Sequence, residues 1–138
     1  MHFRILEHSE YELMLPFVID LNPSTDPALL RERLEEIKQP GYQCAGGFAD
    51  GKLISICGMW MMAKIYTGKQ MEIDNVAVDS SMRSGGVGSA MMEWVYNYAR
   101  EQGCNVVELN TYVSNHRSHK FYFNEGFKIL GFHMQKRL

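Results

Sequence analysis

Along the chain, apolar residues alternate with polar ones in some stretches and recur at helical spacing in others, and these two periods predict its elements. FRIL (Phe3–Leu6) reads as a short strand. Ser9 and Glu12 then spell S-x-x-E, a capping box that opens a helix carrying Leu13, Phe17 and Ile19 towards Leu21. The polar stretch Asn22–Pro27 is a loop, and its Asp26-Pro27 pair places a cap ahead of a proline at the first helical position. In the helix that follows, Leu30, Leu34 and Ile37 share one face and charges occupy the other. Gln39-Pro40-Gly41 stops it.

Strand periodicity takes over from there. YQCAGGFA runs into Asp50-Gly51, a hairpin signal, and LISICGMWMM returns. A turn around Tyr66–Lys69, with Gly68, leads to QMEIDNVAV (Gln70–Val78). After a glycine-rich loop, a helix runs from about Gly88 to Gln102 with Met91, Val95, Tyr98 and Ala99 at helical spacing. Gly103 stops it, and Arg100 complements its dipole. NVVELNTY is a further strand, Ser114 or Asn115 caps a helix through Glu125, Gly126 ends that helix, and FKILGFHMQKRL is a terminal strand. The predicted order is β-α-α-β-β-β-α-β-α-β, an α/β domain with a mixed central sheet flanked by helices.

Composition narrows the class. At 138 residues, the size prior gives one domain, 1–138, with room for a core that needs neither disulfides nor a structural metal. A formal charge of −2 argues against a nucleic-acid binder held by phosphate contacts. The first residues contain no apolar signal core, and no stretch approaches the roughly 18 apolar residues of a membrane span. Cys44, Cys57 and Cys104 are widely spaced with no CxxC, which reads as reduced thiols packed in the core of a cytoplasmic protein. His116 and His119 lie three apart without a third ligand, a solvated face rather than a metal site.

The chemistry concentrates in MRSGGVGSAMM, Met82–Met92. Glycine in a helix interior costs about 0.8–1 kcal/mol against alanine, so glycines at a helix start point to a close approach to the backbone. A P-loop would need a lysine after the glycines, and none is present. A dinucleotide fingerprint is begun by Gly86-Val87-Gly88, but Met91 occupies the place of its third glycine, and its acidic ribose partner would fall on Glu108. The third reading is a diphosphate held by consecutive amides at the helix N-terminus, with Arg83 or Ser84 adding a side-chain donor. A purely structural turn is the plain alternative.

Arg83-Ser84-Gly85-Gly86-Val87-Gly88 resembles the [QR]-x-x-G-x-[GA] signature of the GNAT superfamily of acetyl-CoA-dependent N-acetyltransferases. It follows a strand ending in Val-Ala-Val-Asp, as in that family. A second segment agrees with it: Asn115, Ser118, Phe121-Tyr122 and Gly126-Phe127 are similar to the family's N-x-x-[AS]-x-x-[FL]-Y-x-x-x-G-F pattern. The element order fits over the whole chain, whereas the motifs lie within Glu72–Phe127.

The resemblance implies direct transfer of an acetyl group from acetyl-CoA to a primary amine on a small molecule or peptide, with no metal. It implies that the main chain of Val76, Ala77 and Val78 lies along the pantetheine arm, with the Val76 N–H polarising the thioester carbonyl as an oxyanion-type donor. Arg83, Ser84, Gly85, Gly86, Val87, Gly88 and Ser89 would hold the diphosphate, and Asn115 would help hold the arm. Tyr122 stands at the general-acid position, ready to protonate the departing thiolate and to touch the cofactor, with Tyr112 as the fallback. Glu72 stands where several members place a base. Strand alternation puts Glu72, Asp74 and Val76 on one side, where two carboxylates would attract a cationic acceptor and raise one another's pKa. A homodimer is admitted by family habit, with no nucleic-acid or membrane partner. The rival class keeps the fold and loses the chemistry: a non-catalytic acyl-CoA sensor or interaction module.

Overall fold

Hairpins organise the first half of the chain. A computed structural model describes residues 1–138, which divide into two compact units, Met1–Glu108 and Leu109–Leu138. In the first unit, β1 (His2–Ile5) is followed by a 3-10 turn over His8–Met14, then α1 (Leu15–Leu21) and α2 (Pro27–Glu36). β2 (Tyr42–Ala49), β3 (Lys52–Lys64) and β4 (Gly68–Val78) are next, and α3 (Val87–Glu101) leads to β5 (Val106–Leu109). The five strands form one sheet in the order β1-β2-β3-β4-β5.

Local chemistry accounts for most of these joints. Asp50 and Gly51 both have positive φ, 50° and 75°, the conformation that a two-residue hairpin turn of the primed type requires. The Asp26 carboxylate accepts the Ala28 N–H at 2.8 Å and caps α2. Gly103, at φ 79°, ends α3 in the left-handed conformation. β1 to β4 pair antiparallel throughout. β5 begins beside the beginning of β4, because the Asn105 N–H donates to Lys69 O at 2.8 Å and Asn105 Nδ2 donates to Thr67 O at 2.9 Å. That start-to-start register, across a helical crossover, makes the last pair parallel and the sheet mixed.

Each face of the sheet is covered by different elements. On one face, Tyr11, Met14, Phe17 and Val18 with Leu30 and Leu34 pack against Tyr42, Cys44, Phe48 and Ile56. α3 packs against β3 and β4 and buries Met91, Met92, Val95 and Ala99. Cys44 and Cys57 are fully buried free thiols, and Cys104 is half-buried.

Two expectations change. The S-x-x-E box at Ser9 and Glu12 does not start the first helix; a 3-10 turn begins earlier, and Glu10 accepts the Glu7 N–H at 2.8 Å. Glu10 also holds Arg4 through two bonds of 2.7 and 2.8 Å, while Glu12 pairs with Arg31 at 3.0 Å. The strand expected over Phe127–Leu138 is absent. Ile129, Leu130, Phe132 and Met134 are exposed there, since apolar alternation supplies a strand's propensity but not its pairing partner. In the second unit, α4 (His116–Asn124) is capped by Asn115, whose Oδ1 accepts the Ser118 N–H at 3.2 Å, and Gly126 follows its end at φ 93°.

Candidate functional site

β4 is eleven residues long and β5 only four, so β5 lies beside the first half of β4 and stops before the second. In that second half β4 bulges. Ile56 pairs with Ala77 and Gly58 with Asp74, so Asn75 and Val76 together oppose the single residue Cys57. Asn75 takes φ 46°, a left-handed conformation that asparagine tolerates better than most residues.

The extra residue corrects the alternation expected for this strand. Glu72 and Asp74 do share one side, opposite Trp60 and Gly58. Val76 does not continue it, because the bulge hands that side to Ala77, which packs on the Tyr42–Ile56 cluster. A period-two count cannot anticipate a one-residue insertion.

From the end of β4 the chain is anchored into the glycine loop. The Asp79 N–H donates to Ile54 O at 2.8 Å, and its carboxylate accepts from the Ser81 N–H, the Ser81 hydroxyl and Lys52 Nζ. These donors hold the Asp79 carboxyl well below the usual range, led by the Ser81 hydroxyl. Arg83 Nε donates to Val78 O at 3.3 Å, which folds the loop's entry back onto the strand. Ser84 (φ 67°) and Gly86 (φ 78°) both adopt left-handed backbone. Gly86 is the N-cap of α3 and provides no side-chain cap; the helix's first bond runs from the Ala90 N–H to Gly86 O. The amides of Val87 and Gly88, ahead of that first bond, therefore have no acceptor within the helix, at the positive end of a 15-residue dipole. A Cβ on Gly86 would meet nothing within 4 Å, so there is open space beside the helix's first residue.

The two β4 carboxylates differ. Asp74 is half-buried, and loss of solvent raises its pKa, with a further push from Glu72 and opposing pulls from the Trp60 and Asn75 side chains. Trp60 Nε1 donates to Asp74 Oδ2 at 3.1 Å. Asp74 Oδ1 is buried without a hydrogen-bond partner, as is the hydroxyl of Tyr42. The Tyr42 and Trp60 rings meet at a 54° tilt, 4.7 Å between centroids, and Tyr11 meets Tyr42 edge-on at 6.1 Å. Tyr42 carried no functional signal in the sequence, and Trp60, within the Met59–Met62 run, reads there as strand packing. Counting register back from the turn around Tyr66–Lys69 would have put Trp60 near Glu72, but its bond to Asp74 is a matter of side-chain reach.

In the second unit, Tyr122 packs edge-on against Phe121 and Phe127, at 5.2 and 5.5 Å. Asn115 serves as the α4 cap, and His119 Nε2 lies 2.8 Å from Tyr112 O. Glu108, the acidic residue a dinucleotide reading would need, ties the β3–β4 turn to β5 instead: it accepts from the Tyr66 hydroxyl at 2.8 Å to both oxygens. No helix is long and apolar enough to cross a membrane.

Comparison with known proteins agrees with this arrangement. The model of the acetyltransferase (GNAT) family matches residues 8–127. An aminoalkylphosphonate N-acetyltransferase of Salmonella typhimurium is 28% identical over 90 residues, covering 64% of this chain and 58% of that protein. The uncharacterized N-acetyltransferase YhdJ of Bacillus subtilis is 22% identical over 135 residues, 96% of this chain and 95% of that one. Among solved structures, the aminoglycoside N-acetyltransferase AAC(6')-Iy in complex with CoA superposes with a TM-score of 0.84 at 18% identity, over 99% of this chain and 93% of that one. A strand that outruns its neighbour, a bulge in it, and a bare glycine-capped helix start thus belong to a chain of the GNAT family, and the protein is an acyltransferase of that family.

Proposed function

We propose that the protein transfers an acetyl group from acetyl-CoA to a primary amine in one direct step. The observation that carries this reading is the start of α3, where uncapped amides, an open Gly86 and the adjacent Arg83 form a seat for a diphosphate. On this reading Arg83–Ser89 hold the diphosphate. The main chain of Val76, Ala77 and Val78 runs along the pantetheine arm where β5 no longer accompanies β4, and Asn115 supports that arm.

The Val76 N–H stabilises negative charge on the thioester oxygen during attack. The amine nitrogen bonds to the acetyl carbon as the carbon–sulfur bond breaks. The acceptor ammonium must first lose a proton, to a carboxylate of β4: Glu72, which the family resemblance suggests, or Asp74 beside it. Tyr122 supplies a proton to the thiolate, and the second proton, shed by the nitrogen as the amide forms, restores the phenol. The products are an amide and CoA with a free thiol.

The relative that acts on aminoalkylphosphonates supports small amines bearing a separate anionic group as the first acceptors to try. The test is thiol release from acetyl-CoA in the presence of 2-aminoethylphosphonate, an aminoglycoside, a polyamine and a lysine peptide. Amine-dependent release with at least one of them, strongly reduced in Tyr122→Phe, is the expected result. Acetyl-CoA binding without release to any of them would favour a non-catalytic acyl-CoA module.

A further inference from the structure

Between the end of α2 and the start of β2 lies a cavity that neither the family motifs nor the cofactor reading uses. Its volume is about 460 Å³, and His8, Lys38, Tyr42 and Met61 are among the residues lining it. A space of that size is within the range that holds small ligands. No Asp or Glu lines it, although the chain carries 16 acidic residues against 14 basic ones.

The cationic side chains of the cavity meet on one ring. The His8 imidazole contacts Tyr11 edge-on at 5.1 Å, and Lys38 Nζ lies 6.0 Å over the same ring. The Lys38 side chain is 24% exposed, and Glu35 accepts one of its three ammonium donors at 2.7 Å. An ammonium with three donors can serve a further anion. From Tyr11 the aromatic row continues to Tyr42 and then to Trp60, whose Nε1 donates to Asp74. Cations thus stand at one end of this row, and the carboxylates of Glu72 and Asp74 at the other. Met61, at the cavity, pairs with Met71, and Asp74 lies further along β4 by about 10 Å at strand spacing.

We infer that the cavity receives an anionic group of the acceptor, held by Lys38 and His8. The preferred acceptor is then a primary amine with a negative charge on the order of 10 Å from its nitrogen. The inference rests on the acetyl-transfer reading above, which brings the acceptor nitrogen to the β4 carboxylates. Polyamines fit poorly, because their second ammonium would fall beside Lys38, and that repulsion separates the two classes of amine.

Two readouts test it. In thiol-release assays, kcat/KM should be about tenfold higher for 6-aminohexanoate than for hexylamine, which differs mainly by lacking the charge. Lys38→Met keeps an apolar stem against Tyr11 and removes the ammonium. It should raise KM for 6-aminohexanoate about tenfold and erase the advantage over hexylamine, whereas Lys38→Arg keeps that advantage. A merely structural lysine would weaken both amines alike. The second readout needs no transfer. In proton NMR, hexanoate should shift the His8 imidazole resonance, identified by its loss in His8→Gln, and hexanol should not. Lys38→Met should abolish the hexanoate shift. The inference is overturned if the preference for 6-aminohexanoate survives Lys38→Met, or if hexanoate leaves His8 unmoved. Transfer to no amine, with the hexanoate shift present and dependent on Lys38, would instead remove the acetyl-transfer reading and leave the anion site standing.

Discussion

Arg4 and Glu10 illustrate how a single pair closes the start of this chain. Their two bonds, with the Glu7 N–H as a third donor, hold the Glu10 carboxyl at about 2 against a usual 4.5. Arg4 also lies 4.4 Å over the Phe48 ring, which ties β1 to the neighbouring strand. A carboxyl whose pKa falls on folding contributes stability above its unfolded value, and loses it as pH drops through its folded value. Glu10→Gln is therefore expected to lower the melting temperature at pH 7, with the gap to wild type closing between about pH 4.5 and about pH 2. Because the pair is partly exposed, the gap should also shrink in high salt. Thermal unfolding by circular dichroism across that range checks both. A gap that persists at pH 2 would mean the glutamine disturbs packing rather than charge.

At the scale of elements, helices were the more legible part of the sequence, and for a physical reason. α2 declares itself through a capped proline start and α3 through a glycine stop, and both through a 3.6-residue apolar stripe, all of them local features. Met91, 1% exposed on the buried face of α3, should cost about 2–5 kcal/mol in urea unfolding when replaced by alanine. Asp26→Ala should cost about 1 kcal/mol through the lost cap. A Met91→Ala cost near zero would show that α3 is not fixed on the sheet.

Strands were legible only where a turn pinned them, as at Asp50-Gly51. The bulge at Asn75, the short β5 and the missing terminal strand all depend on pairing between distant residues, which periodicity does not encode. The candidate site divides the same way. The glycine loop could be read from spacing alone, and Glu72 and Tyr122 came through family resemblance. The bond from Trp60 to Asp74 could not be read at all, because it depends on side-chain reach between two paired strands.

On the scale of the whole molecule, the fold amounts to a device for holding one helix start and one strand end in the open. The antiparallel hairpins build a stiff platform through β4, the parallel crossover brings α3 back against it, and the glycine loop lies between the two. The small net charge does not by itself attract a diphosphate, so the proposed cofactor binding relies on the oriented amides and Arg83. The most direct measurement is a calorimetric titration of acetyl-CoA into wild type and Gly86→Asp. Aspartate tolerates left-handed backbone, and the open surroundings of Gly86 accept its side chain, so the variant introduces a negative charge without a clash. Saturable binding by wild type, weakened about tenfold or more in a variant that melts like wild type, is the predicted result. Equal affinity in the two proteins, or no binding by wild type, would contradict the diphosphate seat at the start of α3.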